Sequence, residues 1–199
     1  MIVYIHGASA TAESFTHIRH YVREHFEEPD TVLEYRSENG FENNLEEMKG
    51  QLDDADRLFF ISHSLGGIYS LYLADYYRST TIGGISLATP YGGSHEADFA
   101  RYVLPFNRLM RDVGTMSHIM REVKYIEAPP NWTQVVTTVG QSPWISEPND
   151  GVVTLKSMRF REDFELVEVP LNHYEVVISD QVVEHIIDRI GRVIPKDSQ

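Results

Sequence analysis

The chain has 199 residues, 42% of them hydrophobic, and a formal net charge of −13 from 30 acidic and 17 basic side chains. This length is typical of one domain with a substantial core, so we expect a single domain over residues 1–199. The acidic balance disfavours nucleic acid as a partner, because nucleic acid needs a positive surface. Without cysteine, neither a disulfide nor a thiol nucleophile is available.

The first residues predict a strand rather than a leader. Residues 2–5 are Ile-Val-Tyr-Ile, a short apolar run, and His6 and Gly7 follow it. A secretory leader would begin with a basic segment, an apolar segment and a cleavage site. No stretch approaches the roughly 20 apolar residues of a membrane span. We therefore expect a cytoplasmic protein with no integral membrane segment.

Strands and helices then alternate. Apolar residues at helical spacing predict one helix around residues 15–26 and another around residues 45–52, with a strand at residues 31–33 between them. A third strand leads into a helix at residues 68–77, and a fourth strand covers residues 81–88. Strands at residues 134–139 and 164–169 and a last helix complete the pattern. It predicts an α/β fold, with a mostly parallel sheet of about six strands and helices on both faces.

The turn after the third strand carries a serine among small residues. Residues 62–67 are Ser-His-Ser-Leu-Gly-Gly, with Ser64 at the corner. This pattern is typical of a nucleophile elbow, in which a strained backbone presents the hydroxyl above the edge of the sheet. The N–H of Leu65, at the start of the helix, would then face a developing oxyanion. The alternative is a plain turn between a strand and a helix.

Ser64, Asp150 and His173 each follow a predicted parallel strand, which places them at one edge of the sheet. An imidazole can take the proton of a serine hydroxyl, and a carboxylate fixes the tautomer of that imidazole. The chain order Ser, Asp, His is that of α/β-hydrolases. The N–H of Ala8, after the first strand, would complete an oxyanion hole beside Leu65.

Each of these residues also has an ordinary interpretation. Asp150 and Gly151 form a common turn pair, and His173 is one of nine histidines. Among the others, His95 could line the site, and His63 is interpreted as structural because it occupies the variable position of the elbow. No histidine or acid spacing is typical of a metal site, so we expect neither a metal nor a cofactor.

The segment at residues 99–132 separates the fourth and fifth strands and allows two interpretations. Its apolar stripe comprises Phe106, Leu109, Met110, Val113, Met116, Met120 and Val123. The stripe is either a packing helix or a lid over Ser64, in which Met116 and Met120 would contact an acyl chain. Tyr91, in the loop after the fourth strand, is a further candidate for substrate contact.

Five segments together resemble α/β-hydrolase lipases: residues 6–7, 62–67, 87–94, 149–153 and 172–173. The closest resemblance is to the bacterial triacylglycerol lipase and GPI-inositol-deacylase-like branch. It implies a carboxylic-ester hydrolase acting on a small or lipid-like ester, with Ser64 as nucleophile, His173 as base and Asp150 as orienting acid. The chain departs from the pattern at Ser62, where glycine is usual, and at residues 91–92, Tyr-Gly, where a His-Arg or similar pair is common.

Three activities remain compatible with the sequence. A thioesterase or an amidase would use the same three residues as an esterase. A degenerate hydrolase fold could also act only as a binding module, although such a module needs none of the three.

Overall fold

A computed structural model describes residues 1–8, 10–93 and 117–195. Its strands are β1 (Ile2–Ile5), β2 (Asp30–Leu33), β3 (Leu58–His63), β4 (Thr81–Leu87), β5 (Trp132–Thr137) and β6 (Glu165–Val169). They form one sheet in the order β2-β1-β3-β4-β5-β6, and every neighbouring pair is parallel. The expected parallel sheet is confirmed. Because all six strands run the same way, the loops after them meet at one edge.

The helices cover both faces of this sheet. They are α1 (Thr16–His25), α2 (Phe41–Lys49), α3 (Leu65–Tyr76), α4 (His118–Glu122), α5 (Leu155–Met158) and α6 (Asp180–Gly191). Residues of α2, α3 and α4 pack in one core cluster, and residues of α1 and α6 pack in a second. Strand β3 separates the clusters, because Phe60 contributes to the first and Phe59 to the second.

Several elements begin earlier than the sequence pattern predicts, among them α3 and β5. Helix α3 starts at Leu65, directly after the serine corner, rather than at residue 68. Strand β5 starts at Trp132 rather than at residue 134, since Trp132 already pairs with Gly84 of β4. A Cβ at Gly84 would lie 2.5 Å from the Trp132 ring, so the indole packs where only a glycine leaves room.

A helix that crosses a membrane needs about 20 predominantly apolar residues. None of the helices within the described ranges has both that length and that apolar character.

Candidate active site

Ser64 lies in a strained turn between β3 and α3. Its backbone has φ 52° and ψ −124°, a conformation that costs a non-glycine residue free energy. Two glycines make the turn sterically feasible. A Cβ at Gly66 would lie 2.1 Å from the carbonyl oxygen of Ile5, and one at Gly67 would lie 1.9 Å from Oγ1 of Thr89. The first turn of α3 therefore packs directly against the backbone of β1 and against Thr89 in the loop after β4. The Ser64 side chain stays partly exposed.

Ser62 stands where the resembled family usually has glycine, and the structure shows how it fits. Its side chain is buried, and its Oγ lies 2.9 Å from Oγ of Ser70 on α3. The Ser70 hydroxyl in turn donates to the carbonyl of Gly67 at 3.0 Å. A buried hydroxyl with a partner is tolerated, so this departure leaves the elbow intact.

The three predicted catalytic residues are hydrogen-bonded to one another. The Ser64 hydroxyl donates to Nε2 of His173 at 3.0 Å, and Nδ1–H of His173 donates to Oδ2 of Asp150 at 2.8 Å. His173 and Asp150 are buried. In this tautomer the unprotonated Nε2 faces the hydroxyl, as a general base requires.

The Asp150 carboxylate accepts bonds on both oxygens. Oδ1 accepts from the N–H groups of Val152 at 3.0 Å and Val153 at 2.7 Å, while Oδ2 also accepts from the Thr137 hydroxyl at 2.5 Å. Burial by itself would raise the pKa of Asp150, but the hydrogen bond and charge of His173, the Thr137 bond and the Val153 bond outweigh it and lower the pKa. Asp150 is therefore held ionised. Thr137 is not among the site residues predicted from the sequence, and its only signal is its place at the end of β5.

The loop that carries His173 is fixed by reciprocal caps. Oδ1 of Asn172 accepts from the N–H groups of Tyr174 and Glu175, both at 2.9 Å, and the Glu175 carboxylate accepts from the N–H of Asn172 at 2.9 Å. The His173 N–H donates to the carbonyl of Asp150 at 3.1 Å. His173 is thus held through its main chain as well as its ring.

The two predicted oxyanion donors are the N–H groups of Leu65 and Ala8. Leu65 is the first residue of α3, so its N–H has no carbonyl of the preceding helical turn to bind. Within the described residues, neither this amide nor that of Ala8 donates to a protein acceptor. The loop after β1 lies against Ser64, since a Cβ at Gly7 would be 3.2 Å from Cβ of Ser64. The His6 ring donates to the Gly7 carbonyl at 2.8 Å and orients the peptide that carries the Ala8 N–H.

The predicted substrate contacts lie in the core or outside the described residues. Tyr91 is fully buried, and its hydroxyl donates to the Gly67 carbonyl at 3.4 Å and accepts from Nε1–H of Trp132 at 3.2 Å. Met120 is also buried in a core cluster, and Met116 lies outside the described residues. These contacts give Tyr91 and Met120 packing roles, and substrate contact by either stays a prediction.

The described part of the segment at residues 99–132 is held by hydrogen bonds from side chains outside it. The Tyr72 hydroxyl of α3 donates to the Ile119 carbonyl at 2.8 Å. Arg161 donates to the carbonyls of Val123 and Ile126, both at 2.7 Å. Residues 117–132 thus fit the packing interpretation, whereas residues 99–116 lie outside the described residues and the lid interpretation stays a prediction there.

The other described histidines include two that form surface pairs and one, His63, that is buried beside the site. His17 and His118 form exposed pairs with Asp180 and Glu42, and His95 lies outside the described residues. His63 is buried against the site, with Nε2–H donating to the carbonyl of His173 at 2.9 Å. Across residues 1–8, 10–93 and 117–195, no group of three or more metal-ligating side chains could hold a metal ion.

Comparison with known proteins gives matches in structure only. No protein-family model and no curated protein sequence matches this chain. The mature form of Bacillus licheniformis lipase BlEst2 matches with a TM-score of 0.74 and 16% identity, over 94% of this chain and 91% of that one. The metagenomic carboxyl esterase MGS0156 matches with a TM-score of 0.70 and 16% identity, over 96% and 75%. A lipase-esterase related protein from Clostridium acetobutylicum ATCC 824 matches with a TM-score of 0.67 and 10% identity, over 97% and 93%.

The protein therefore has the α/β-hydrolase fold, and its structural neighbours include lipases and esterases. Identities of this size establish the fold and not the activity. The more specific resemblance to the GPI-inositol-deacylase-like branch stays a prediction.

Proposed function

We propose that this protein is a serine hydrolase that cleaves carboxylic esters. The observation that carries the proposal is the continuous hydrogen-bonded path from Ser64 through His173 to Asp150, in which the serine is the partly exposed member. The esterase and lipase names of the structural neighbours favour an ester as the substrate class. The substrate would be a small or lipid-like ester.

The geometry supports a two-step acyl transfer. His173 takes the proton of the Ser64 hydroxyl while Oγ attacks the ester carbonyl carbon, and the Leu65 and Ala8 amides stabilise the resulting oxyanion. The tetrahedral intermediate collapses, and His173 gives its proton to the departing alcohol. A water molecule, deprotonated by His173, then attacks the acyl-enzyme carbonyl carbon. His173 returns this proton to Oγ of Ser64 as the bond to the acyl group breaks and the carboxylic acid leaves. Asp150 keeps the imidazole in the required tautomer and stabilises the imidazolium in both steps.

Two observations weigh against a pure binding module. Ser64 keeps a strained backbone, and Asp150 keeps an ionised carboxylate inside the protein beside an imidazole. The strained backbone costs free energy that a binding surface does not require, and the carboxylate fixes an imidazole tautomer that only a general base requires. A thioesterase or an amidase would use the same residues, so the ester preference rests on the neighbours.

The proposal is tested with a labelled fluorophosphonate probe and a panel of p-nitrophenyl esters. Wild type should be labelled stoichiometrically and should hydrolyse at least one ester, whereas Ser64→Ala should lose both activities and keep its fold. Ser146→Ala, in an exposed loop, is the matched control and should behave as wild type. Equal labelling of wild type and Ser64→Ala would refute the role of Ser64. Faster turnover of matched thioesters or anilides would reassign the substrate class.

A further inference from the structure

His63 is a buried histidine that the proposed reaction does not use. It is the last residue of β3 and precedes Ser64 directly. Its ring lies 4.9 Å from the His173 ring, and its Nε2–H donates to the His173 carbonyl at 2.9 Å. Burial, followed by the neighbouring charge of His173, lowers the pKa of His63 to about 3. The ring is therefore neutral at pH 7, with its proton on Nε2.

The other ring nitrogen shows that packing alone does not explain this residue. Nδ1 of His63 is buried and has no hydrogen-bond partner among the described residues. A Cβ at Gly7 would lie 3.0 Å from it, so the loop after β1 packs directly on the ring. A buried polar atom without a partner lowers the free energy of unfolding. A leucine would fill much of the same space without that cost, but it could not donate to His173.

The hydrogen bond from His63 is one of two that hold the main chain of the catalytic base. The N–H of His173 donates to the Asp150 carbonyl, and its C=O accepts from His63. His63 and Ser64 are adjacent in the chain, and the Ser64 N–H donates to the Leu87 carbonyl of β4 at 2.8 Å. The His63 bond is thus a direct link from the main chain of the base to the strand that holds the nucleophile.

We propose that His63 is a positioning residue, whose bond to the His173 carbonyl sets the distance between Nε2 of His173 and Oγ of Ser64. The inference rests on the proposed function, because it needs His173 to act as the base. Small displacements of a reacting group can cost about a hundredfold in rate. Loss of this bond should therefore lower turnover without changing how the substrate binds.

Three substitutions separate positioning from packing. His63→Leu removes the donor and keeps the apolar volume. His63→Asn keeps an amide, but its nitrogen is too close to the backbone to reach the carbonyl. His63→Gln places its amide nitrogen the same number of bonds from the backbone as Nε2. We expect kcat to fall about 10- to 100-fold in the Leu and Asn variants, with KM within about twofold, and most of kcat to return in the Gln variant. His20→Leu, on an exposed part of α1, is the control and should match wild type.

The outcomes are distinguishable. Folded Leu and Asn variants with wild-type kcat would overturn the inference and leave the proposed function standing. The inference would also be overturned if kcat and the melting temperature fell together in the Leu and Asn variants and His63→Gln restored neither. That result would indicate that the ring acts through packing. If those variants do not fold, ¹⁵N NMR of the wild-type imidazoles decides: a Nδ1–H tautomer of His63 would overturn the inference, and a slowly exchanging Nε2–H proton would support it. A wild type that neither hydrolyses esters nor reacts with the probe would remove both proposals.

Discussion

Two sets of groups are predicted to act with Ser64, a base side formed by His173 and Asp150 and an oxyanion side formed by two backbone amides, and they are built in opposite ways. On one side, His173 and Asp150 are enclosed by donors and acceptors, and Thr137 and His63 add two further bonds. On the other side, the amides of Leu65 and Ala8 have no protein acceptor among the described residues.

The difference reflects what each side does in the proposed reaction. A general base must hold one tautomer and one position throughout, so its hydrogen bonds are already made. Oxyanion donors must meet a charge that exists only during the reaction, so they are held in place without a partner. The base side is therefore sensitive to the loss of a side chain, and the oxyanion side to the loss of a backbone N–H.

The largest effect is expected on the base side, at Asp150. Asp150→Asn should lower kcat about ten-thousand-fold, because an amide facing Nδ1 favours the wrong imidazole tautomer. Steady-state kinetics on the best p-nitrophenyl ester would measure the loss. Asp54→Asn, at an exposed position, should keep wild-type kinetics. If Asp150→Asn turned over within tenfold of wild type, the orienting acid would have to be another residue.

A smaller effect is expected on the oxyanion side, at Ala8. Ala8→Pro removes the N–H and should lower kcat about 100- to 1,000-fold, whereas Ala8→Gly keeps the N–H and should retain most of the activity. Circular dichroism and the melting temperature check that the proline variant is folded. A folded proline variant as active as the glycine variant would place the second oxyanion donor elsewhere.

The remaining prediction concerns acid, which should act on the base side because backbone amides do not titrate. His63 faces His173, Asp150 and His6, and its folded-state pKa of about 3 lies below its unfolded value. The unfolded state therefore binds the proton first, and stability should fall as pH drops from about 6.5 toward 3, by about 1.4 kcal/mol per pH unit. The lowered pKa of Asp150 adds a further loss below about pH 4.

Urea denaturation between pH 7 and pH 4 tests this prediction. His63→Leu should flatten the loss of unfolding free energy with falling pH, since it removes the group that titrates only in the unfolded state. A His63→Leu variant that loses stability with acid as steeply as wild type would show that other groups cause the loss.

Much of the site could be predicted from sequence because its signals are local. Helical and strand periodicities indicate the alternation of elements, and the small residues around Ser64 indicate the elbow. Once the sheet is parallel, the loops carrying Asp150 and His173 must lie at the same edge as Ser64. The structure brings these three side chains into one hydrogen-bonded path.

The sequence could not show which loop lies beside the end of each strand, and the supporting contacts of the site depend on that arrangement. Thr137, the last residue of β5, contacts Asp150 across 13 positions of the sequence, and His63 contacts the carbonyl of His173 across 110. Tyr91 is a core residue because its hydroxyl meets Gly67 and Trp132. These contacts join residues far apart in the chain, so no local pattern encodes them. By itself the sequence determined the elements and the edge at which the candidate residues meet, and only the tertiary structure decided which neighbours hold them in place.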